Sequence, residues 1–473
     1  MAKNNIECRA MITWLDLTNE DRKDVLEVLK RLQEPGTQDD LGARSLQIAL
    51  SNLLFPGTSV LLTRLRYVFF IPWIHLWTQH ELKKANNKDA TLVYNKIREK
   101  EIWLKDMLLK QLTGEDRKKR DVGIIGSDSI KGELSSSVSA TKNYLTTLKK
   151  WQIMQNFDSL NAYYIAIGNH VNTEGTSTDD NTDNTVDGWH SQIRTQLPKI
   201  TENTIKEKLK TGFVLQQQEA KFLQDWIEQI FPGSLLGYFV RQDPVKMHAW
   251  LTQDTTKIKT RRDLWRFKKA NLQDHNKLEP LLFYAECFAD LLYGANLLYN
   301  CILCAARLTL ARRTEQPVPL TNEEIFTLPQ KQFGETLTKW QAKWKQRKQK
   351  IIDEGKQPFD ANAFLTYLKS YNKKELNGAV ADVGEFLQRW QFEVERDIAL
   401  LTNDHAKKLI ISREKAKKKQ QARMRVAPEL GGTKRLKQWT PPQKIGRIDY
   451  RWFTVWQLLV DLYTPLQPSP QDQ

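Results

Sequence analysis

Leu281 to Leu310 reads LLFYAECFADLLYGANLLYNCILCAARLTL. Tyr284, Phe288, Leu291, Leu292, Leu298 and Ile302 recur at helical spacing, and the residues between them leave the surface apolar nearly all round. A helix greasy on every side belongs at the centre of a helical bundle. That stretch sets the expected fold class: mainly α, a multi-unit helical assembly with loop-rich insertions and few or no strands.

Working outward, helical patterning is expected over Thr338 to Asp353 and from Val380 to about Arg425. On the other side it runs from Asn203 to Ile230, where Pro232-Gly233 stops it, and over Ala140 to Trp151 and Thr91 to Leu112. Nearer the start, Gly42 to Leu54 reads as a helix ended by Phe55-Pro56-Gly57-Thr58, and Val60 to Phe70 as one broken by Pro72. Val25, Leu26, Leu29 and Leu32 mark a first helix that Pro35-Gly36 closes. Thr113 to Ser139 reads as loop-rich, and Asn172 to Gly188, almost devoid of apolar residues, as a flexible insertion. Lys444 to Arg451 is the one candidate strand. A chain of 473 residues exceeds what one core needs, and the breaks suggest four parts: 1–112, 113–200, 201–335 and 336–473.

Composition narrows the setting. Lys and Arg total 72 against 56 acidic residues, a formal net charge of +16, which favours polyanionic partners. Only four cysteines occur, Cys8, Cys287, Cys301 and Cys304, in no evenly spaced framework, as expected of a reducing compartment. No signal-peptide pattern opens the chain, and Val60 to Trp77 is interrupted by Arg64, Arg66, Pro72 and His75. A cytoplasmic protein that does not span a membrane is the expectation. Among the 15 tryptophans, Trp103, Trp265, Trp340 and Trp390 sit beside charges; such rings usually cap a core or line an interface.

Familiar catalytic patterns fail on inspection. Cys301-Ile-Leu-Cys304 has a zinc-like spacing but only Leu, Ile and Ala around it, so it reads as two core thiols. Asp179-Asp-Asn-Thr-Asp183 begins like a calcium loop, but Asn184 stands where glycine is required and His190 where a bidentate Glu is. Gly123-Ile-Ile-Gly126 lacks the Lys and hydroxyl residue of a phosphate cradle, and reads as a surface turn whose amides could touch a nucleic-acid backbone after Arg117 to Arg120. His275-Asn-Lys277 and His405-Ala-Lys407 lack the Asp that phospholipase-D-type nucleases carry further on. Glu219-Ala-Lys221 and Glu354-Gly-Lys356 lie in helical text, whereas restriction-type triplets need adjacent strands. These are read as helical surface pairs. The pattern leans away from an enzyme, with no catalytic, metal or cofactor residue assigned.

The basic stretches carry more weight. Within the run from Lys407 to Lys437, the candidate phosphate contacts are Lys415, Lys417, Lys418, Lys419, Arg423, Arg425, Lys434 and Arg435. Glu414 and Glu429 are its only acids. A shorter patch offers Arg261, Arg262, Lys268 and Lys269 with Trp265 and Phe267 interleaved, and another spans Lys343 to Lys350 beside Trp340 and Trp344. Clustered cations displace counterions from phosphates, and interleaved rings stack on unpaired bases. Arg64 and Arg66 stand near the start of an apolar helix, where its dipole is unfavourable, and so need a carboxylate or phosphate partner. Asp39 or Asp40 could supply it.

Trp14-Leu15-Asp16, Asp39-Asp-Leu-Gly42, Leu53-Leu-Phe-Pro-Gly-Thr-Ser59, Thr63-Arg64, Arg66-Tyr67 and Pro72-Trp-Ile74 together resemble the bacterial family of unknown function DUF6361. Weaker matches are Gly123 to Gly126, Ser136 to Trp151, Phe231-Pro-Gly-Ser-Leu235 and Asp449-Tyr-Arg-Trp452. The resemblance implies a bacterial protein encoded among suspected antiphage defence genes, and it implies no catalytic residue. The expected function is a non-catalytic nucleic-acid-binding subunit of a multi-protein defence complex, with DNA favoured over RNA and other protein subunits as partners. A metal-dependent nuclease with an unrecognised acidic site and a protein–protein scaffold are the alternatives.

Overall fold

The computed structural model describes residues 41–82, 89–112, 123–127, 138–155, 157, 159–173, 188–195, 200–252, 264–265, 278–314, 320–371, 373–424 and 432–467. Helix accounts for the architecture. The first ten helices are α1 (Arg44–Leu54), α2 (Tyr67–Leu82), α3 (Ala90–Gln111), α4 (Ala140–Lys150), α5 (Leu160–Thr173), α6 (Ser191–Thr195), α7 (Glu202–Leu209), α8 (Gln217–Ile230), α9 (Leu235–Val240) and α10 (Pro244–Thr252). Seven more follow: α11 (Glu279–Thr314), α12 (Leu320–Asp353), α13 (Ala361–Lys369), α14 (Lys374–Glu395), α15 (Asp404–Lys418), α16 (Gly432–Gln438) and α17 (Trp452–Tyr463). Among the described residues there is no strand, so the mainly α expectation holds and the strand expected over Lys444 to Arg451 is absent. An isolated bridge pairs Met154 with Trp189.

The described residues gather into two compact units that ignore chain order. One comprises those within 54–273 and those from Arg451 onward; the other comprises those within 41–53 and 274–450. The four expected parts do not survive as drawn. Their boundary at 335/336 falls inside α12, and the earlier two fall inside the first unit.

In the first unit, α2 overrides its own proline. Pro72 was expected to end a helix begun at Val60, yet residues 59–66 form turns and α2 starts at Tyr67 and continues through Pro72. Proline forfeits one backbone bond, here to Val68, but 14 of the 16 residues of α2 are buried, and that burial outweighs the loss. Arg66 lies just before the helix with its side chain fully buried. Its Nε and Nη2 donate to the two oxygens of Glu219 at 3.0 and 3.1 Å, and Nη1 donates to Thr211 Oγ1 and the Gly212 carbonyl. Glu219 is equally buried and also accepts from the Gln216 amide at the start of α8. The break between α7 and α8, expected to be one helix, is what lets the chain reach Arg66: Gly212 adopts φ +56°, a conformation that glycine tolerates.

Arg64 is held the same way. It pairs bidentately with Asp461 of α17 at 2.9 to 3.1 Å, and the Leu65 amide donates to that carboxylate. The partners of both arginines are therefore Asp461 and Glu219; Asp39 and Asp40 lie outside the described residues. Gly123 to Gly126 is packed inward: Thr63 donates to the Gly123 carbonyl, the Ile125 amide donates to Tyr67, and Ile124 and Ile125 are buried. It is no exposed phosphate loop. Asn172 and Thr173, expected to open the flexible insertion, belong to α5; residues 174–187, with the calcium-like pattern, lie outside the described residues.

In the second unit α11 is the central helix, as expected, and pairs along its length with α12. A β-carbon at Gly294 would overlap the indole of Trp340, so glycine sets how closely the two helices approach. Trp390 on α14 is fully buried and donates to the Leu291 carbonyl at 2.9 Å, and Tyr450 donates to the Ala285 carbonyl at 2.8 Å. By length and composition α11 could cross a membrane, but 83% of its apolar window is buried inside the protein. Cys301 and Cys304 are buried on α11, and burial pushes both thiols up to about 12, so they stay protonated core groups.

Two outcomes follow from these cores. Replacing Glu219 with Gln or Arg66 with Met alone should cost about 3–5 kcal/mol in urea unfolding, because each leaves a buried charge unpaired; an R66M/E219L double variant should recover much of that loss. His75 is fully buried against Tyr163, Tyr164 and Trp189, and burial lowers its pKa to about 3. Its folded pKa lies below the unfolded value, so its contribution is present above pH about 6.5 and is lost as pH falls from there toward 3. His75→Gln should flatten the stability profile just below that pH by up to about 1.4 kcal/mol per pH unit, measured by chemical denaturation at stepped pH.

Candidate nucleic-acid interface

The basic run is built on α15. Asn403 caps it, its side chain accepting from the Ala406 amide, with Asp404 in the first turn and Lys415, Lys417 and Lys418 in the last. Acid first and base last match the helix dipole. Ala406, Ile410 and Glu414, four residues apart, form the buried face. The expected single helix from Val380 to Arg425 is two, α14 and α15, separated by residues 396–403.

Glu414 organises everything after the helix. Its carboxylate has no exposure, and it accepts from the Tyr299 hydroxyl at 2.7 Å, the Arg423 amide at 2.9 Å and the Met424 amide at 3.1 Å. The chain folds back to reach it. Lys419 takes φ +47° at the end of α15, and a short 3-10 turn, Lys419–Gln421, carries the chain onward. Arg413, one residue before Glu414, fixes the helix from outside by donating to the carbonyls of Leu41, Gly42 and Asp382 at 2.7 to 2.9 Å. Lys417 pairs with Asp382, and its stem lies over Gly42, where a β-carbon would overlap it.

The far end of the run returns to the same place. Gly432 to Gln438 is helix α16, packed on α11 and on the 3-10 turn. Leu436 is buried, Trp439 stacks on Phe326, and Arg435 donates to the Gln420 carbonyl at 3.1 Å. The two ends of the run thus meet at the 3-10 turn. Lys408, Lys415, Lys419, Lys434 and Lys437 are exposed. Among the described residues no carboxylate pairs with any of these five.

The patch from Lys343 to Lys350 behaves oppositely. Lys345 pairs with Asp397, Arg347 with Glu286 and Asp290, Lys348 with Glu395, and Lys350 with Glu354. Trp340 and Trp344 are only 7% and 6% exposed, so neither ring can stack on a base. Arg66 and Arg64, also expected to meet phosphates, are committed to Glu219 and Asp461; Arg66 in particular has no exposure. Arg261, Arg262, Lys268, Lys269 and Arg425 lie outside the described residues, and Trp265 is buried. Of the remaining predicted contacts, Lys418 lies over the Tyr299 ring and Arg423 donates to the Tyr299 hydroxyl.

Glu414, Tyr299 and Asp382 were not singled out as site residues. One of only two acids amid twelve bases was a usable signal for Glu414, because a carboxylate kept there has a local task. Among the described residues no three His, Cys, Asp or Glu side chains gather in a way that would hold a metal ion. An open groove of about 530 Å³ between α11 and α12 is lined by Arg312, Glu324, Thr309, Thr327 and apolar neighbours, without a nucleophile and base in register.

Glu414→Leu should leave two backbone amides and a tyrosine hydroxyl without their acceptor, at a cost of about 1–3 kcal/mol. Hydrogen exchange at Arg423 and Met424 should accelerate while amides in the first turns of α15 keep their protection.

Several of the residues that suggested a family meet within the first unit. Tyr144 accepts from the Thr63 and Arg64 amides and donates to the Arg64 carbonyl, and Trp151 donates to the Pro56 carbonyl. Its ring occupies the space a side chain at Gly57 would need. Arg451 donates to the Thr58 carbonyl, and Trp452 stacks with Phe55 and Phe239. No curated protein and no solved structure shows significant similarity to the chain. The family of unknown function DUF6361 matches residues 9–320, about two thirds of the sequence, and the basic surface of α15 and α16 lies beyond that span. On that match the chain belongs to the DUF6361 family.

Proposed function

We propose that this chain is a non-catalytic nucleic-acid-binding subunit, holding phosphates on the surface formed by α15, the 3-10 turn and α16. The observation that carries the reading is a run whose two ends meet at the 3-10 turn and which holds five exposed lysines without a paired carboxylate among the described residues, in a chain of net charge +16. On α12, by contrast, Lys345, Arg347, Lys348 and Lys350 are each paired with an acid. An unmatched cluster held on a rigid turn is a pre-set site for a polyanion.

DNA is the favoured polymer and the cytoplasm the proposed location. The setting in a bacterial defence assembly rests on the family resemblance. Protein partners would not meet the tryptophans, most of which support the core; Phe392, Ile398 and Leu401, and likewise Ile325 and Leu328, are exposed apolar side chains near one another in sequence.

The test is a salt-titrated binding assay of the full-length protein on mixed-sequence duplex DNA, monitored by fluorescence anisotropy. Binding should weaken by about 0.9 log unit per phosphate neutralised for each tenfold rise in salt. K415E/K419E/K434E should abolish binding with an unchanged thermal melt. Undetectable binding at low salt, or binding indifferent to salt, would overturn the proposal. Cleavage of the probe with magnesium or manganese would replace it with the nuclease reading.

A further inference from the structure

The kinds of cation on this surface, and the absence of rings from it, narrow what it can recognise. From Lys407 to Gln438 the sequence contains no Phe, Tyr or Trp. The nearest rings belong to the interior: Tyr299 has no exposure, Phe326 is 3% exposed and Trp439 is 7% exposed. Proteins that grip single strands place aromatic side chains under successive bases, worth about 1–3 kcal/mol per base. That source of affinity is missing here.

The cations are also sorted by type. Arg413, Arg423 and Arg435 are all turned onto the protein, donating to backbone carbonyls or to the Tyr299 hydroxyl. Among the described residues of the run, which leave out Arg425, the exposed members are all lysines: Lys408, Lys415, Lys419, Lys434 and Lys437. Arginine is the side chain whose planar fork reads guanine bidentately in the major groove. Lysine is a mobile point charge that suits phosphate oxygens. A surface with its forks folded inward and its point charges outward answers to charge density. Lys408 and Lys415, on one face of α15, stand about 10.5 Å apart along the helix axis.

We infer that this surface takes the sugar-phosphate backbone of a nucleic-acid duplex, in preference to single strands and without regard to base sequence. The inference rests on the nucleic-acid reading above and specifies its ligand. A duplex presents twice the phosphate density of one of its strands, and its bases are already stacked, so the lack of aromatic platforms costs nothing there. A single strand offers this surface a weaker field and no compensation.

The experiment uses full-length protein and probes of equal length: a mixed-sequence duplex DNA, its two separated strands made free of self-pairing, and all-A·T and all-G·C duplexes. The mixed duplex should bind more tightly than either strand, with a salt slope of about −0.9 per phosphate contacted against about −0.7 for the strands. The A·T and G·C duplexes should bind alike. K415Q/K434Q, confined to exposed side chains and checked by circular dichroism, should lower the duplex slope by about 1.8 and weaken every duplex by the same factor. Single strands binding as tightly as the duplex, or a preference of about tenfold among duplexes, the size of one read base pair, would overturn the inference and leave nucleic-acid binding standing. Failure of all probes to bind at low salt would overturn both.

Discussion

A charge withdrawn from water must meet its opposite inside the protein, and the positions that matter most in this chain are places where that demand was satisfied. Glu219 and Arg66 are both without exposure and face each other through two parallel hydrogen bonds. Around them the first unit has little freedom. The guanidinium also takes Thr211 and the Gly212 carbonyl, so the loop between α7 and α8 has to turn where it does, and Glu219 at the same time satisfies the start of α8. Arg64 and Asp461 repeat the device a short distance along the chain, drawing α17 onto the turn before α2. Such pairs contribute little net stability compared with well-packed apolar groups, but they penalise every arrangement in which one partner is buried alone.

The second unit uses the same constraint for a different end. Glu414 is a carboxylate buried in the middle of a basic run, and it is paired with hydrogen-bond donors instead of an opposite charge: one hydroxyl and two amides. Those donors belong to the segment that follows α15. The negative charge that might have neutralised the neighbouring lysines is thereby consumed in folding the chain back, and the lysines are left outside. On α12 the acids Asp397, Glu395 and Asp290 stand opposite the cations instead. Two stretches of comparable composition thus come to different electrostatic ends through the placement of a few carboxylates: four of the five cations from Lys343 to Lys350 are paired, whereas Lys415 and Lys419 are not.

Local pattern was legible wherever a helix had one apolar face or none that was polar. The Leu281 to Leu310 stretch, the α3 segment and the α4 segment could be placed from spacing alone, because periodicity and burial agree there. Reading failed where tertiary burial overruled a local breaker, as at Pro72, or where the chain turned for a distant partner, as between α7 and α8. It also failed for the function of particular residues. Arg64 and Arg66 were recognisable as cations in need of anions, but the anions lie 397 and 153 positions away, and no local rule spans such separations. The tryptophans beside Lys343 to Lys350 had the composition of a stacking surface and turned out to be core.

The sequence by itself determined the helical class, the central apolar helix, the inert state of Cys301 and Cys304, and the excess of positive charge. Each of these follows from side-chain chemistry or from short-range periodicity, which the order of residues contains directly. Only the tertiary structure decided which cations are spent and which remain. Whether a lysine meets a carboxylate depends on where separate helices bring their acids, and Coulomb interactions between groups far apart in the chain are set by position in space, not by position in sequence.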